Sequence, residues 1–505
     1  MSDLTLAGGL VLFAWLLRLT FLFSNRDRSW PFTIFYEGDS EAFYLYARAL
    51  LSGTLYDGGI PFHPPGFAYF LAGLHLVLGA GAPEAQPSHL AVKITLAFVS
   101  SLAIGLFFWV ARRYVGRTAA VVAALLAACH FGLVILAIAP VTESLYLLLL
   151  ALSLLFWSDL CGDGAAAGAV ARAAAPLGLT LAALVLVRAE GALVAAILLG
   201  LGALRAHAKL RALPFWRRQT RWLFAAVVCL LALTPNLFAN HRALENANRM
   251  LGDRLYERLP TWTPVTLYGP LNLALANHSD ADGGFSREHL PGGDDATLDL
   301  KRRDHLTLLL HGDREARAWI AAHPGEFARL VVRKWSLFLG ALRLGWTQWN
   351  LPGGLVGLRR PVDVFVPDNG IHAWLLGPAL LLSFAAAWRA GAGPRRWALL
   401  AAMLTGGGLA TSALFFGYAR QGLLLLPLWL PLLGLGLVRA GAFVLNRSRL
   451  SDRTARRIGA AALIAFCLLE LWGATRDRDY EASGETLKGQ THLNRDRPMR
   501  LSPLP

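Results

Sequence analysis

Charge is what this sequence has least of. Only 16% of its 505 residues are Asp, Glu, Lys or Arg, 55% are hydrophobic, and the mean hydropathy is +0.46. A chain that apolar excludes a set of soluble domains of the same length. Cysteine is scarce as well: Cys129, Cys161, Cys229 and Cys467 stand far apart, in or beside apolar runs. They offer neither a zinc-ligand spacing nor a disulfide framework and read as small buried hydrophobes. A P-loop, a dinucleotide fingerprint, a Gly-x-Ser-x-Gly elbow and a His-Glu-x-x-His pair are also missing. ATP-driven transport, dehydrogenation and the common hydrolase chemistries therefore have no motif support.

What is present is a series of long, nearly uncharged runs rich in Leu, Ala, Val and Phe, as a helix crossing about 30 Å of hydrocarbon requires. They predict an all-α polytopic membrane protein with about eleven transmembrane helices, over residues 4–24, 90–111, 119–139, 144–160, 174–188, 191–204, 222–239, 371–388, 397–415, 421–438 and 458–474. The first run has no basic segment before it and no clean small-residue cleavage site after it, so it is read as a retained span.

The net charge of +15 does not point to nucleic acid, because the basic residues sit in short loops between spans. Arg112, Arg113 and Arg117 fill one such loop and Arg172 a second. Arg205, Lys209, Arg211, Arg217, Arg218 and Arg221 occupy a third, Arg389, Arg395 and Arg396 a fourth, and Arg439, Arg447, Arg449, Arg453, Arg456 and Arg457 a fifth. These nineteen cations face two acids, Asp163 and Asp452. The positive-inside rule makes all five loops cytoplasmic. By parity, residues 25–89, the bends at 142–143 and 188–190, the segment 240–370 and the tail 476–505 fall outside, around a membrane domain spanning 1–475 in a cell (inner) membrane. The apolar run 67–78 is short for a span and is read as an interfacial or re-entrant helix. Residues 240–328 carry ten Lys/Arg and thirteen Asp/Glu and read as a soluble-facing loop. The stretch 327–344 mixes Arg329, Arg333 and Lys334 with Trp335 and Phe338, the pattern of a juxtamembrane helix on the membrane surface.

The candidate chemistry lies on the outer side. After the first span comes Tyr36-Glu37-Gly38-Asp39-Ser40-Glu41, then Phe62-His63-Pro64-Pro65-Gly66. Crowded acids in a surface loop serve solubility, or one of them acts as a general base facing an acceptor hydroxyl. Glu143, in Pro140-Val141-Thr142-Glu143-Ser144, either starts a helix as part of an N-cap or is a functional acid at the membrane edge. Lys93, Arg188 and Arg420 are cations at outer helix ends, against the charge bias that sets the topology. Each binds lipid headgroups in general or the phosphate of a specific lipid-linked substrate. His63 has no second His at ligand spacing, and a divalent cation held by His63, Asp39 and Glu143 is weighed against a simple His-Pro-Pro turn.

In their order, these motifs resemble the GT-C superfamily of membrane glycosyltransferases, in particular bacterial relatives of the dolichyl-phosphate-mannose protein mannosyltransferases and of the lipid A aminoarabinose transferase. The resemblance runs through Gly38-Asp39-Ser40, Phe62-His63-Pro64-Pro65-Gly66, the basic turn Ala111-Arg112-Arg113-Tyr114-Val115-Gly116-Arg117, Thr142-Glu143-Ser144, Val187-Arg188-Ala189-Glu190 and Gly417-Tyr418-Ala419-Arg420-Gln421. It implies a polyprenyl-phosphate sugar donor, a glycan, lipid or protein acceptor, and transfer on the extracytoplasmic face, usually with inversion. It also implies a catalytic acid in the first outer loop, which Asp39 matches, with Glu143 matching the acid of the second. Asp39-Ser40-Glu41 stands where many relatives have two adjacent acids, so Glu41 shares the candidacy for the base, and Lys93 stands where relatives commonly carry Arg. A transporter or lipid flippase is the competing expectation, but its inverted repeats and interrupted midplane helices are not found in the sequence. A non-catalytic scaffold fits poorly with Asp39, His63 and Glu143 all being present.

Overall fold

The computed structural model describes residues 2–24, 26, 29–32, 39–54, 59–78, 86–162, 167–209, 214–292, 298–343, 346, 370–447 and 452–474. In chain order its helices are α1 (Asp3–Ser24), α2 (Ser29–Phe32), α3 (Glu41–Ser52), α4 (Gly66–Val77), α5 (Gln86–Val115), α6 (Arg117–Cys129), α7 (Phe131–Ile138), α8 (Glu143–Leu160) and α9 (Ala167–Val187). They continue with α10 (Gly191–Lys209), α11 (Phe215–Leu251), α12 (Gly269–Ala276), α13 (Arg303–Ala322), α14 (Pro324–Phe338), α15 (Gly370–Arg389), α16 (Ala392–Leu414), α17 (Ala419–Arg447) and α18 (Asp452–Ala474). Among the described residues the only extended pairing is an isolated bridge between His130 and Trp346.

Among the described residues seven helices are long and apolar enough to cross a membrane: α1, α5, α8, α10, α11, α16 and α17. Shorter apolar stretches in α6, α9, α15 and α18 lie where the remaining spans are expected. The chain is an all-α polytopic membrane protein, and every predicted span coincides with a helix or, for 119–139, with the pair α6 and α7. The tail expected over 476–505 lies outside the described residues.

The basic turn at 112–117 meets the ends of α1, α8 and α16 at one end of the bundle, and Arg439 lies against α15. Arg112 and Arg117 both pair with Asp3 at the start of α1, and Arg113 reaches Asp159 at 2.5 Å near the end of α8. Tyr114 packs its ring on Trp397 of α16, and Arg439 of α17 donates to the Ala386 carbonyl of α15. Close helix contacts depend on glycine. A Cβ on Gly434 of α17 would overlap the Ala119 carbonyl of α6, and one on Gly178 of α9 would come 2.5 Å from the Ala225 carbonyl of α11.

The third predicted span is broken. His130 adopts an extended conformation (φ −65°, ψ 120°) between α6 and α7, which frees backbone carbonyls inside the bundle. Such groups need partners where no water reaches. The buried Arg18 of α1 donates to the Ala128 carbonyl at 3.2 Å, and the Trp346 indole donates to the Leu126 carbonyl at 2.9 Å. The Trp346 ring also stands edge-on to His130, and its backbone forms the bridge.

At the other end, α11 runs a dozen residues past the predicted end of its span at 239. Residues 240–328, read from sequence as a soluble-facing loop, contain two further helices, α12 and α13, and the surface helix expected over 327–344 is α14. Leu244 and Leu251 of α11, Leu271 and Leu275 of α12, and Leu306 and Leu309 of α13 build a second hydrophobic core there. Ile60 and Phe62 of the first outer loop and Phe416 ahead of α17 join it, so this module is stitched to the membrane domain through the segments that carry His63 and Arg420. The 12-residue α4 buries Phe67 and Leu71 and leaves Leu76 and Val77 largely exposed, as an interfacial helix would. In α14, Arg329, Arg333, Val332 and Trp335 are exposed as the surface-helix reading expects, but Lys334 turns inward and is fully buried.

Candidate active site

Three turns and a helix start converge at the end of the bundle away from the basic loops. Pro140 and the following bend end the apolar run and start α8 at Glu143, whose side chain is fully buried. A lone buried carboxylate is strongly disfavoured, and Arg188, from the turn between α9 and α10, answers it. Its Nη1 donates to Glu143 Oε1 at 2.8 Å and to Thr142 Oγ1 at 2.9 Å, while its Nε donates to Glu190 Oε1 at 2.5 Å. Gly66 makes this turn's position possible: it lies so close to α9 that a Cβ there would come within 2.7 Å of the Leu186 and Val187 backbone. The His-Pro-Pro-Gly motif thus seats α4 directly beneath Arg188.

Arg420, in the first turn of α17, reaches the same place from the opposite side. Its Nη2 pairs with Asp39 Oδ2 at 2.5 Å, and its Nε lies 3.6 Å from Glu143 Oε1. That buried Nε has no hydrogen-bond partner among the described residues. The guanidinium stands 5.2 Å over the Tyr418 ring. Asp39 is the open member of the array, its side chain 48% exposed against 15% for Arg420. The surrounding protein disfavours its charge, but the charge and hydrogen bond of Arg420, then the fields of His63 and Arg188, outweigh that and hold its carboxyl below the ordinary value.

Two phenols stand in the same field. Burial, reinforced by Glu190, pushes Tyr268 up to about 12, and burial likewise raises Tyr418, so both hydroxyls stay protonated and able to donate. The turn that carries Tyr418 is fixed from below. Gly417 N–H donates to the Gly283 carbonyl at 2.9 Å, and a Cβ on Gly417 would overlap the Lys334 carbonyl. Lys334 Nζ in turn donates to Asn277 Oδ1 at 2.8 Å and to the Ala413 carbonyl at 3.1 Å. The module of residues 240–338 therefore holds the loop that presents Arg420.

Of the residues singled out in the sequence, Asp39, Glu143, Arg188 and Arg420 form one connected array, and His63 stands beside it, its ring edge-on to Phe43 and Phe62. Glu41 is the first residue of α3, two positions beyond Asp39. Lys93 is fully buried in α5 and donates to the Phe32 carbonyl at 3.3 Å. The expected metal site at His63, Asp39 and Glu143 is not formed. The carboxylates of Asp39 and Glu143 both face guanidinium groups, and among the described residues no group of three or more His, Cys, Asp or Glu is placed to hold a metal ion. The sequence reading gave Glu190, Tyr268, Tyr418 and Lys334 no role. Glu190 was in view, two residues after Arg188 in a motif already singled out, whereas Tyr268 and Lys334 reach the site only through the folding of the module of residues 240–338.

An alternating chain of carboxylates and guanidiniums, Glu190–Arg188–Glu143–Arg420–Asp39, thus lies at one end of an all-α membrane bundle, next to α4 and the module of residues 240–338. Comparison with solved structures finds the fold of this bundle in a known membrane protein. The oligosaccharyltransferase of Archaeoglobus fulgidus, tethered with an acceptor peptide containing the NVT sequon, is similar at 14% identity with a TM-score of 0.52, over 93% of this chain and 55% of that one. The archaeal oligosaccharyltransferase AglB from Archaeoglobus fulgidus, in complex with an inhibitory peptide and a dolichol-phosphate, is similar at 13% identity and a TM-score of 0.48, over 93% and 56%. ArnT from Cupriavidus metallidurans bound to undecaprenyl phosphate is similar at 14% identity and a TM-score of 0.37, over 86% and 78%. The chain thus spans about half the length of the oligosaccharyltransferase structures it matches. No family model and no curated protein matches it.

Proposed function

We propose that the chain is a glycosyltransferase that moves a sugar from a polyprenyl-phosphate donor to an acceptor hydroxyl at the extracytoplasmic face of the cell membrane. One observation carries this reading: Asp39, exposed and ionised, lies against the same guanidinium that retains an unused donor, on a fold shared with an oligosaccharyltransferase. A base and a phosphate-binding cation within one site are what the transfer needs.

In the reaction, Asp39 takes the proton of the acceptor hydroxyl while the acceptor oxygen forms its bond to the anomeric carbon. The bond from that carbon to the phosphate oxygen breaks on the opposite face, which inverts the anomeric centre, and the leaving lipid phosphate keeps the electron pair. Arg420 neutralises that phosphate, the largest electrostatic demand of the step. Tyr268 and Tyr418 supply neutral hydroxyl donors beside it. Arg188 is committed to Glu143, Thr142 and Glu190, and its role is to hold Glu143, which in turn sets the Nε side of Arg420.

Asp39→Asn keeps size and hydrogen bonding and removes the basic lone pair. Transfer from a polyprenyl-phosphate sugar by the purified variant should fall about 10²- to 10⁴-fold, with Glu41→Gln as the milder control. Activity of a well-folded Asp39→Asn protein within about tenfold of the parent would refute the base role.

A further inference from the structure

Arg188 and Arg420 differ in one respect that bears on how the site is switched on. Arg188 uses Nε and Nη1 on three acceptors fixed by α8 and the α9–α10 turn. Arg420 makes one short contact, to the most exposed acid of the array, and its Nε is buried and unpartnered among the described residues. Glu143, at 3.6 Å, is near enough to attract that Nε but beyond hydrogen-bond reach. A guanidinium with an empty donor beside an open carboxylate is poised to take a second oxyanion.

We propose that Arg420 exchanges partners: without donor it holds Asp39, and an arriving lipid phosphate draws it away, so that Asp39 becomes a free base only when the donor is in place. The proposal rests on the reading of the site as a polyprenyl-phosphate-dependent glycosyltransferase and adds a regulation to it. A carboxylate that shares its lone pairs with a guanidinium is a poor proton acceptor, and a phosphate oxygen competes directly for the same planar fork. Glu143 cannot serve as the released group, because Arg188 keeps it paired whichever partner Arg420 has. Asp39 is thus both base and competitor of the donor. Occupancy of the lipid-phosphate site removes the competitor's hold at the moment the base is needed, and a donor-free enzyme keeps Asp39 from activating water or acceptor.

The test uses the full-length protein in detergent micelles and undecaprenyl phosphate as the probe, with binding read directly by thermophoresis. Asp39→Asn and Asp39→Ala should each bind the probe about tenfold more tightly than the parent, the scale of one charge-assisted hydrogen bond, although both are strongly impaired in transfer. Loss of a nearby negative charge would by itself favour an anion, so the comparison is repeated in an Arg420→Met background. There the gain from Asp39→Asn should disappear. Equal or weaker binding by both Asp39 variants overturns the exchange, as does a gain of the same size with and without Arg420, and the glycosyltransferase reading survives either result. A parent protein that binds no undecaprenyl phosphate overturns both.

Discussion

The two ends of the bundle use arginine in opposite ways. At the end with the basic loops, Arg113 and Arg117 are 31% and 51% exposed and pair with Asp159 and Asp3, themselves 42% and 28% exposed. At the other end, where residues 240–328 carry ten Lys/Arg of their own, Arg188 and Arg420 are 13% and 15% exposed and each faces two carboxylates. The first kind leaves both charges partly in solvent, whereas the second draws two guanidiniums into the fold against matched carboxylates. Pairs between exposed groups are screened and contribute little, while a buried array is all or nothing, since removing one member leaves another uncompensated.

That contrast can be broken at three levels. Arg188→Ala strands the fully buried Glu143 with only the more distant Arg420 beside it, and should cost about 3–5 kcal/mol of stability, read as thermal unfolding in detergent. Gly417→Ala forces a methyl against the Lys334 carbonyl and should cost about 1–3 kcal/mol while shifting Arg420, so transfer should drop further than the loss of folded protein explains. Arg113→Ala, the mirror case at the basic end, should change stability by less than about 1 kcal/mol and leave transfer at the parental level. An Arg113 variant as damaging as the Arg188 variant would erase the distinction between the ends.

Much of this architecture was legible in the sequence because the bilayer imposes a simple code. Every predicted span found its helix, since length and hydropathy alone decide what can cross. The acids Asp39 and Glu143 and the cations Arg188 and Arg420 stood out by being charged at apolar helix ends. Their mutual pairing did not, because segments distant in the chain meet only through packing: Gly66 against Leu186, and Gly417 against Lys334. Lys93 looked equivalent to Arg188 by position, but side-chain direction on a helix is not encoded in such a count, and it points to Phe32. The module of residues 240–338 was missed as a folded unit because its core leucines are spread over turns, the end of α11, the eight-residue α12 and the amphipathic α13. His130 gave no sign of breaking a helix, being one polar residue in an apolar run with neither Gly nor Pro beside it.

The break at His130 also sets an order of biogenesis. The carbonyl of Leu126 is satisfied by an indole that follows it by 220 positions, long after the third span has left the ribosome. Arg18 belongs to the first span and is already present when that segment inserts, so one open carbonyl is covered at once while the other waits. The Leu126 carbonyl gains this donor only when Trp346, from the chain beyond residues 240–338, packs back against the break. Truncation ahead of that residue would leave a membrane domain inserted but unlatched, and surveillance proteases that read exposed backbone in the bilayer would have a place to begin.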